Sequence, residues 1–253
     1  MFRAKRSLLV VSSILCIIGL IFMLAPFSRE VQGAPARPLA FAPPVDYPVG
    51  TNPVGITVGN FMGLGHQDLA VTNELDDSVS ILANDGTGAF TPQPPIALAA
   101  SSNPTGIITG DFTGLGHHDL AVADIGDSTV SILLNNGSGT FTLQPPIHVG
   151  PLSNPIGLAV GNFMGLGRQD IAITNQNTHN VMILANNGSG SFTAQPPIPV
   201  GNRPIGIVNG NFMGLGRQDL AVTNYNDNTV TILANNGSGT FAPQPPIAVG
   251  LIQ

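Results

Sequence analysis

The chain has 253 residues, 43% of them hydrophobic and only 9% charged, with 31 glycines and 22 prolines. Such a chain can bury a sizeable core, unlike the charge-rich, apolar-poor kind that stays disordered, and its glycine and proline content demands many short elements joined by turns. Beyond residue 36 only Arg37, Arg168, Arg203 and Arg217 are basic, against 13 acidic residues; an acidic body repels phosphate backbones, so no nucleic-acid partner is expected.

Residues 1–6 carry three positive charges, and residues 7–27 are apolar and uncharged. This is the layout of a signal peptide or of a membrane anchor, since about 20 apolar residues are enough to span a bilayer as one helix. Ala34-Pro35-Ala36 offers a small-x-small cleavage site, and both outcomes stay open. Either way positive charge stays in the cytoplasm, so the body is expected outside it, secreted or anchored. Residues 1–36 are therefore set apart as leader and linker. The single cysteine, Cys16, lies in the apolar stretch, leaving the body without a disulfide, a cysteine zinc site or a thiol nucleophile.

Residues 41–253 are dominated by internal repetition. The segments 60–73, 111–124, 162–175 and 211–224 align without gaps, and Asp68, Asp119, Asp170 and Asp219 recur at the same place in each. A second run, SILANDGTGAF at 80–90, recurs at 131–141, 182–192 and 231–241. The four units run at about 50–98, 101–149, 152–200 and 201–249. Each predicts four strands, illustrated by the first: Gly55–Phe61, Asp68–Asn73, Ser78–Ala83 and Phe90–Leu98, with a Gly-rich loop after the first and a tight Asn-Gly-type turn before the last. A sheet with two apolar faces is covered only by stacking on another. The expected fold is all-β, a propeller-like array of four four-stranded blades preceded by one apolar helix. Gln-Pro-Pro recurs in every last strand, which suits an outer edge because proline cannot donate to a ladder. Phe41–Val49 reads as a fifth, degenerate copy of the last strand, a spare edge.

The GN/DF…GxGxxDLAV run, the SILxNNGSGTF hairpin and their spacing resemble the FG-GAP/VCBS repeats of integrin-α-type propellers and bacterial surface proteins. The resemblance covers about residues 50–250. It implies a calcium loop between the first two strands, with oxygen ligands at positions one, three, five and nine. Here position one is Asn60, Asp111, Asn162 or Asn211; position three is Met62, Thr113, Met164 or Met213; position five is leucine; position nine is Asp68, Asp119, Asp170 or Asp219. Methionine and leucine cannot ligate calcium. No cofactor and no tight calcium site are expected; weak binding is conceivable only at Asp111 and Asp119. The remaining aspartates are expected to cap their loops by accepting backbone N–H groups, with Met and Leu plugging the loop in place of an ion.

Position seven of each loop holds His66, His117, Arg168 or Arg217. In a radial array these four share one face and could bind an anionic group, more strongly where histidine is charged; the plainer reading is solvated loop residues. No zinc-type histidine spacing, nucleophile elbow, Walker loop or dinucleotide fingerprint is present. The chain is therefore expected to be no enzyme. The resemblance implies instead a binding or adhesion module that contacts an extracellular protein or glycan through blade loops. The alternatives are a structural, self-associating surface protein and a secreted propeller hydrolase or lyase. Partners beyond that are the membrane, through residues 7–27 if uncleaved, and further copies of the chain, because four units need not close a ring.

Overall fold

The computed structural model describes residues 43–250; the apolar helix and anchor expected within residues 1–36 lie outside the described residues. Among the described residues every regular element is a strand. The first sheet comprises β1 (Pro53–Gly59), β2 (Asp68–Asn73), β3 (Ser78–Asn84), β4 (Phe90–Pro92) and β5 (Ile96–Ala97). It is an antiparallel meander in the order β1-β2-β3-β4, with β5 on the same partner as β4. The second sheet repeats it as β6 (Pro104–Gly110), β7 (Asp119–Asp124), β8 (Thr129–Asn135), β9 (Phe141–Leu143) and β10 (Ile147–His148). The third comprises β11 (Pro155–Gly161), β12 (Asp170–Asn175), β13 (Asn180–Asn186), β14 (Phe192–Ala194) and β15 (Ile198–Pro199). The fourth comprises β16 (Pro204–Gly210), β17 (Asp219–Asn224), β18 (Thr229–Asn235), β19 (Phe241–Pro243) and β20 (Ile247–Ala248).

Three expectations need adjustment. The first strand starts and ends two residues earlier than Gly55–Phe61, because the amides of Phe61 and Met62 donate to the Asp68 carboxylate and leave the ladder. The last strand is not continuous: Gln93 still donates to the Ile81 carbonyl at 2.8 Å, but Pro94-Pro95 has no N–H to offer, and pairing resumes at Ile96. Residues 43–49, the described part of the expected spare edge strand, form no strand. They have no ladder to join, and Tyr47 instead sets its ring edge-on to Phe90, 5.3 Å between centroids.

The sheets stack in chain order, with first strands adjacent: β1 on β6, β6 on β11, β11 on β16. Alternation along a strand sends successive side chains to opposite faces, so each inner sheet contributes to two cores. Leu120 and Val122 of β7 join Phe61, Ala70, Val79 and Ile81 of the first sheet. Ala121 and Ala123 of the same strand join Ile171, Ile173 and Leu184 of the third. Ala172 and Ile183 pack on Leu220, Val222 and Leu233 of the fourth. Small residues alternate with large ones, so the first strands come close. A Cβ on Gly106 would collide with the Ile156 carbonyl, as one on Gly55 would with Thr105 and one on Gly157 with Ile205. The array is propeller-like in this sense: glycine-lined first strands inside, proline-broken strands outside.

Candidate functional site

The Gly-rich loops between first and second strands all lie at the same end of their sheets, because each follows the same strand in the same direction. Each closes on its position-nine aspartate. Asp68 accepts N–H bonds from Phe61 (2.7 Å), Met62 (2.9 Å) and, across the sheet, Asn84 (2.9 Å). Asp119 holds Phe112 and Asn135, Asp170 holds Met164 and Asn186, and Asp219 holds Met213 and Asn235. Position one closes the other side: Asn60, Asn162 and Asn211 accept from Gly65, Gly167 and Gly216, and Asp111 from Leu115 and Gly116. Gly63 and Gly65, at φ 72° and 80°, allow the loop to curl this tightly.

These bonds bear on the calcium loop implied by the resemblance. Backbone N–H groups point at both acidic positions, where a cation would need lone pairs aimed at itself. In the second loop, the one with two carboxylates, Asp111 and Asp119 are both engaged in this way, and only the Thr113 hydroxyl is buried without a partner. Burial pushes the Asp119 carboxyl above its ordinary range; N–H bonds from Asn135, Phe112 and Thr113 oppose this, and the charge of Asp111 adds to it. With one hydroxyl and two carboxylates already holding backbone N–H groups here, and methionine and leucine at positions three and five of the other loops, the side chains present lack the oxygen set of the calcium loop and do not fit a tight site.

The methionines expected to plug their own loops contact the next sheet instead, and Met213 is 44% exposed. The Met62 thioether lies against Gly139 of the next sheet and Met164 against Gly239. The leucines do not plug anything: Leu64, Leu115, Leu166 and Leu215 are exposed at 69%, 71%, 65% and 66%. Held between two glycines of positive φ, each stands at the loop tip. His66, His117, Arg168 and Arg217 each fold over the turn glycine of their own hairpin (Gly86, Gly137, Gly188, Gly237). The structure thus places the four sequence-predicted binding residues one per sheet, each with an exposed leucine two positions before it. A residue the sequence did not mark is His118, whose Nδ1 accepts the Asn60 N–H of the neighbouring sheet at 2.9 Å. Gln169 and Gln218 do the same for Asp111 and Asn162. Repetition of a polar residue just before each loop aspartate was the available signal.

Glycine-lined stacked sheets with loops gathered at one end define a repeat-built, propeller-like all-β module. The family model described as an FG-GAP-like repeat matches residues 60–122. That segment carries an FG-GAP-like repeat, and its loop sequence recurs at residues 162–175 and 211–224. Comparison with curated proteins gives no match. Among solved structures, virginiamycin B lyase from Staphylococcus aureus is similar at 17% identity and TM-score 0.53, over 76% of this chain and 55% of that one. A protein from Lactobacillus plantarum is similar at 17% identity and TM-score 0.61, over 72% and 52%. BBS1N, in a complex with ARL6DN, is similar at 16% identity and TM-score 0.56, over 80% and 55%. This chain spans about half the length of these structures, and the likeness is one of fold.

Proposed function

We propose that the chain is a non-catalytic binding or adhesion module, held outside the cytoplasm, that contacts an extracellular protein or glycan through its Gly-rich loops. The observation that carries this is the set of four leucines, one per sheet, each at least 65% exposed and each two positions before a histidine or arginine. Large apolar side chains repeated at one end of a molecule mark a contact surface. Four equivalent tips also favour a partner with repeated features, because each further contact forms at high effective concentration. A non-catalytic role fits the loop carboxylates, whose oxygens are spent on backbone amides. A location outside the cytoplasm rests on the basic residues 1–6 and the apolar residues 7–27.

The test is binding of the full chain to arrayed glycans and extracellular-matrix proteins, alongside a variant with Leu64, Leu115, Leu166 and Leu215 all replaced by Ser. The leucines are exposed, so the variant folds. At least a tenfold loss of binding is expected. Equal binding by the variant, or turnover of any bound ligand, would overturn the reading.

A further inference from the structure

We infer that the first and fourth sheets dock two copies of this chain head to tail, the back of the fourth sheet on the front of the first, through the contacts that join sheets inside the chain. This goes beyond the loop-binding reading and does not depend on it. The internal junction occurs three times with equivalent contacts, save that Ala123 of the second sheet lacks the threonine hydroxyl of Thr72 and Thr174. A side-chain amide reaches back to the preceding sheet: Asn135 Nδ2 to the Phe61 carbonyl (2.9 Å), Asn186 to Phe112 (2.8 Å), Asn235 to Phe163 (2.9 Å). A backbone N–H reaches forward: Asn60 to His118, Asp111 to Gln169, Asn162 to Gln218. Phe61, Phe112 and Phe163 are fully buried, set edge-on to Phe141, Phe192 and Phe241 of the next sheet at 5.8, 5.3 and 6.0 Å. The Thr72 hydroxyl donates to the Thr105 carbonyl and that of Thr174 to Ile205. Beneath all of this, a glycine of one first strand receives a carbonyl of the next.

Among the described residues, the two ends hold the unused halves of this set. On the fourth sheet Phe212 is 47% exposed where its three counterparts are buried, Val208 is 58% exposed, and Gly206 meets only its own Thr223. The Thr223 hydroxyl has only Gly206 of its own sheet. On the first sheet Ile56 is 63% exposed, whereas its counterpart Ile207 is buried against the third sheet. Asn84 donates to the Gln67 carbonyl of its own sheet and to no other. Superposing an internal junction on these ends pairs Asn84 with the Phe212 carbonyl, the Asn211 N–H with Gln67, Thr223 with the Val54 carbonyl, and Gly206 with that same carbonyl. Every polar group named has its complement. The interface is heterologous, so it builds a closed ring or an open string according to the rotation per copy.

One place is claimed twice. Pro48-Val49-Gly50 lies in a groove beside Asp76 and Ser78 of the first sheet as Pro199-Val200-Gly201 lies beside Asp227 and Thr229 of the fourth. Residues 47–50 thus stand where an outer strand of a preceding sheet would stand. In the docked pair they replace β20, a two-residue, exposed strand, on β18. Tyr47-Pro48 can serve there, since Ile198-Pro199 serves on β13 in the third sheet.

The experiment is sedimentation equilibrium of the full chain in density-matched detergent, with Gly206→Ala and Ile56→Arg, alone and mixed. Gly206 has ordinary φ and no neighbouring backbone in its own chain, and Ile56 is exposed, so both variants fold. The native chain is expected at two copies or more. Each variant alone is expected at one copy, with its dissociation constant raised at least tenfold. The mixture regains two copies, because Gly206→Ala keeps the intact first sheet and Ile56→Arg the intact fourth. A native chain of single-copy mass overturns the proposal. So does Gly206→Ala associating like the native chain, since an added methyl only strengthens non-specific apolar adhesion.

Discussion

Asn73, Asp124, Asn175 and Asn224 end the second strands of the four sheets. Asn224 donates its amide to the hydroxyls of Thr229 and Thr231, at 3.0 and 2.8 Å, and Asn73 serves Ser78 and Ser80 likewise. Asp124 has no amide and must accept, from Ser131 at 2.6 Å and Thr129 at 3.4 Å, while its other oxygen is buried without a partner. Burial pushes its carboxyl up to about 7; the Ser131 bond opposes this, and the charge of Asp127 adds to it. Below pH 4 the group is protonated whether the chain is folded or not. Between about 4 and 7 the folded chain keeps a proton that the unfolded chain has lost, so this group's contribution to stability falls as pH rises through that window, and its full cost remains above it. Asp124→Asn removes the dependence and supplies the donors that Asn224 has. Melting temperatures at pH 5 and pH 8 check it: the variant is expected to gain over the native chain on going to pH 8, by about 5 °C or more, since each kcal/mol is worth about 2–4 °C in a domain of this size. At this scale the loop aspartates were legible, because a carboxylate after a Gly-rich turn has amides to cap. The leucine tips were not: an apolar residue in a loop reads as buried until the glycines on both sides turn it outward.

At the scale of the strand, the second and third elements were legible almost to the residue, since Asp68–Asn73 and Ser78–Asn84 are apolar runs bounded by polar turns. The hairpin after the third strand was less so. Its Asn-Gly marked a tight turn, but not that Asn136 uses its side-chain oxygen to hold the Ser138 and Thr140 amides while Gly137 and Gly139 both take positive φ. The first strand's glycines carry the clearest consequence. At Gly106 an added methyl meets the Ile156 carbonyl and the sheets must part, whereas at Gly206 the nearest contact is the Thr223 hydroxyl, 3.1 Å away. Gly106→Ala is expected to cost about 3 kcal/mol, the upper end for overpacking a close contact. Gly206→Ala is expected to cost under about 1 kcal/mol, because it meets no backbone within its own chain. Urea unfolding of the two variants compares them directly, and similar costs would show that the carbonyl contact does not set the sheet spacing.

For the molecule as a whole, the count of sheets was legible from the period, but which faces remain open was not. Four near-identical units carry near-identical halves of a junction, and sequence alone does not say where stacking stops. Among the described residues, the stack leaves the second and third sheets covered on both faces and the first and fourth on one: β7 and β12 are buried throughout, while β1 alternates with exposed residues and β18 is partly open. Stability in such a line of units is local and nearest-neighbour in character. In hydrogen exchange on the Gly206→Ala chain, the amides of β7, β8, β12 and β13 are expected to exchange at least tenfold more slowly than those of β1 and β18. Uniform protection would mean that the four sheets open together.

The broken outer strands bear on how many such molecules behave in company. At each sheet's flank, two consecutive prolines remove the hydrogen that a foreign strand would need and lift the backbone off its line. Sideways pairing of foreign strands is therefore disfavoured at the same point of every sheet, so any growth of the kind inferred above would run end upon end.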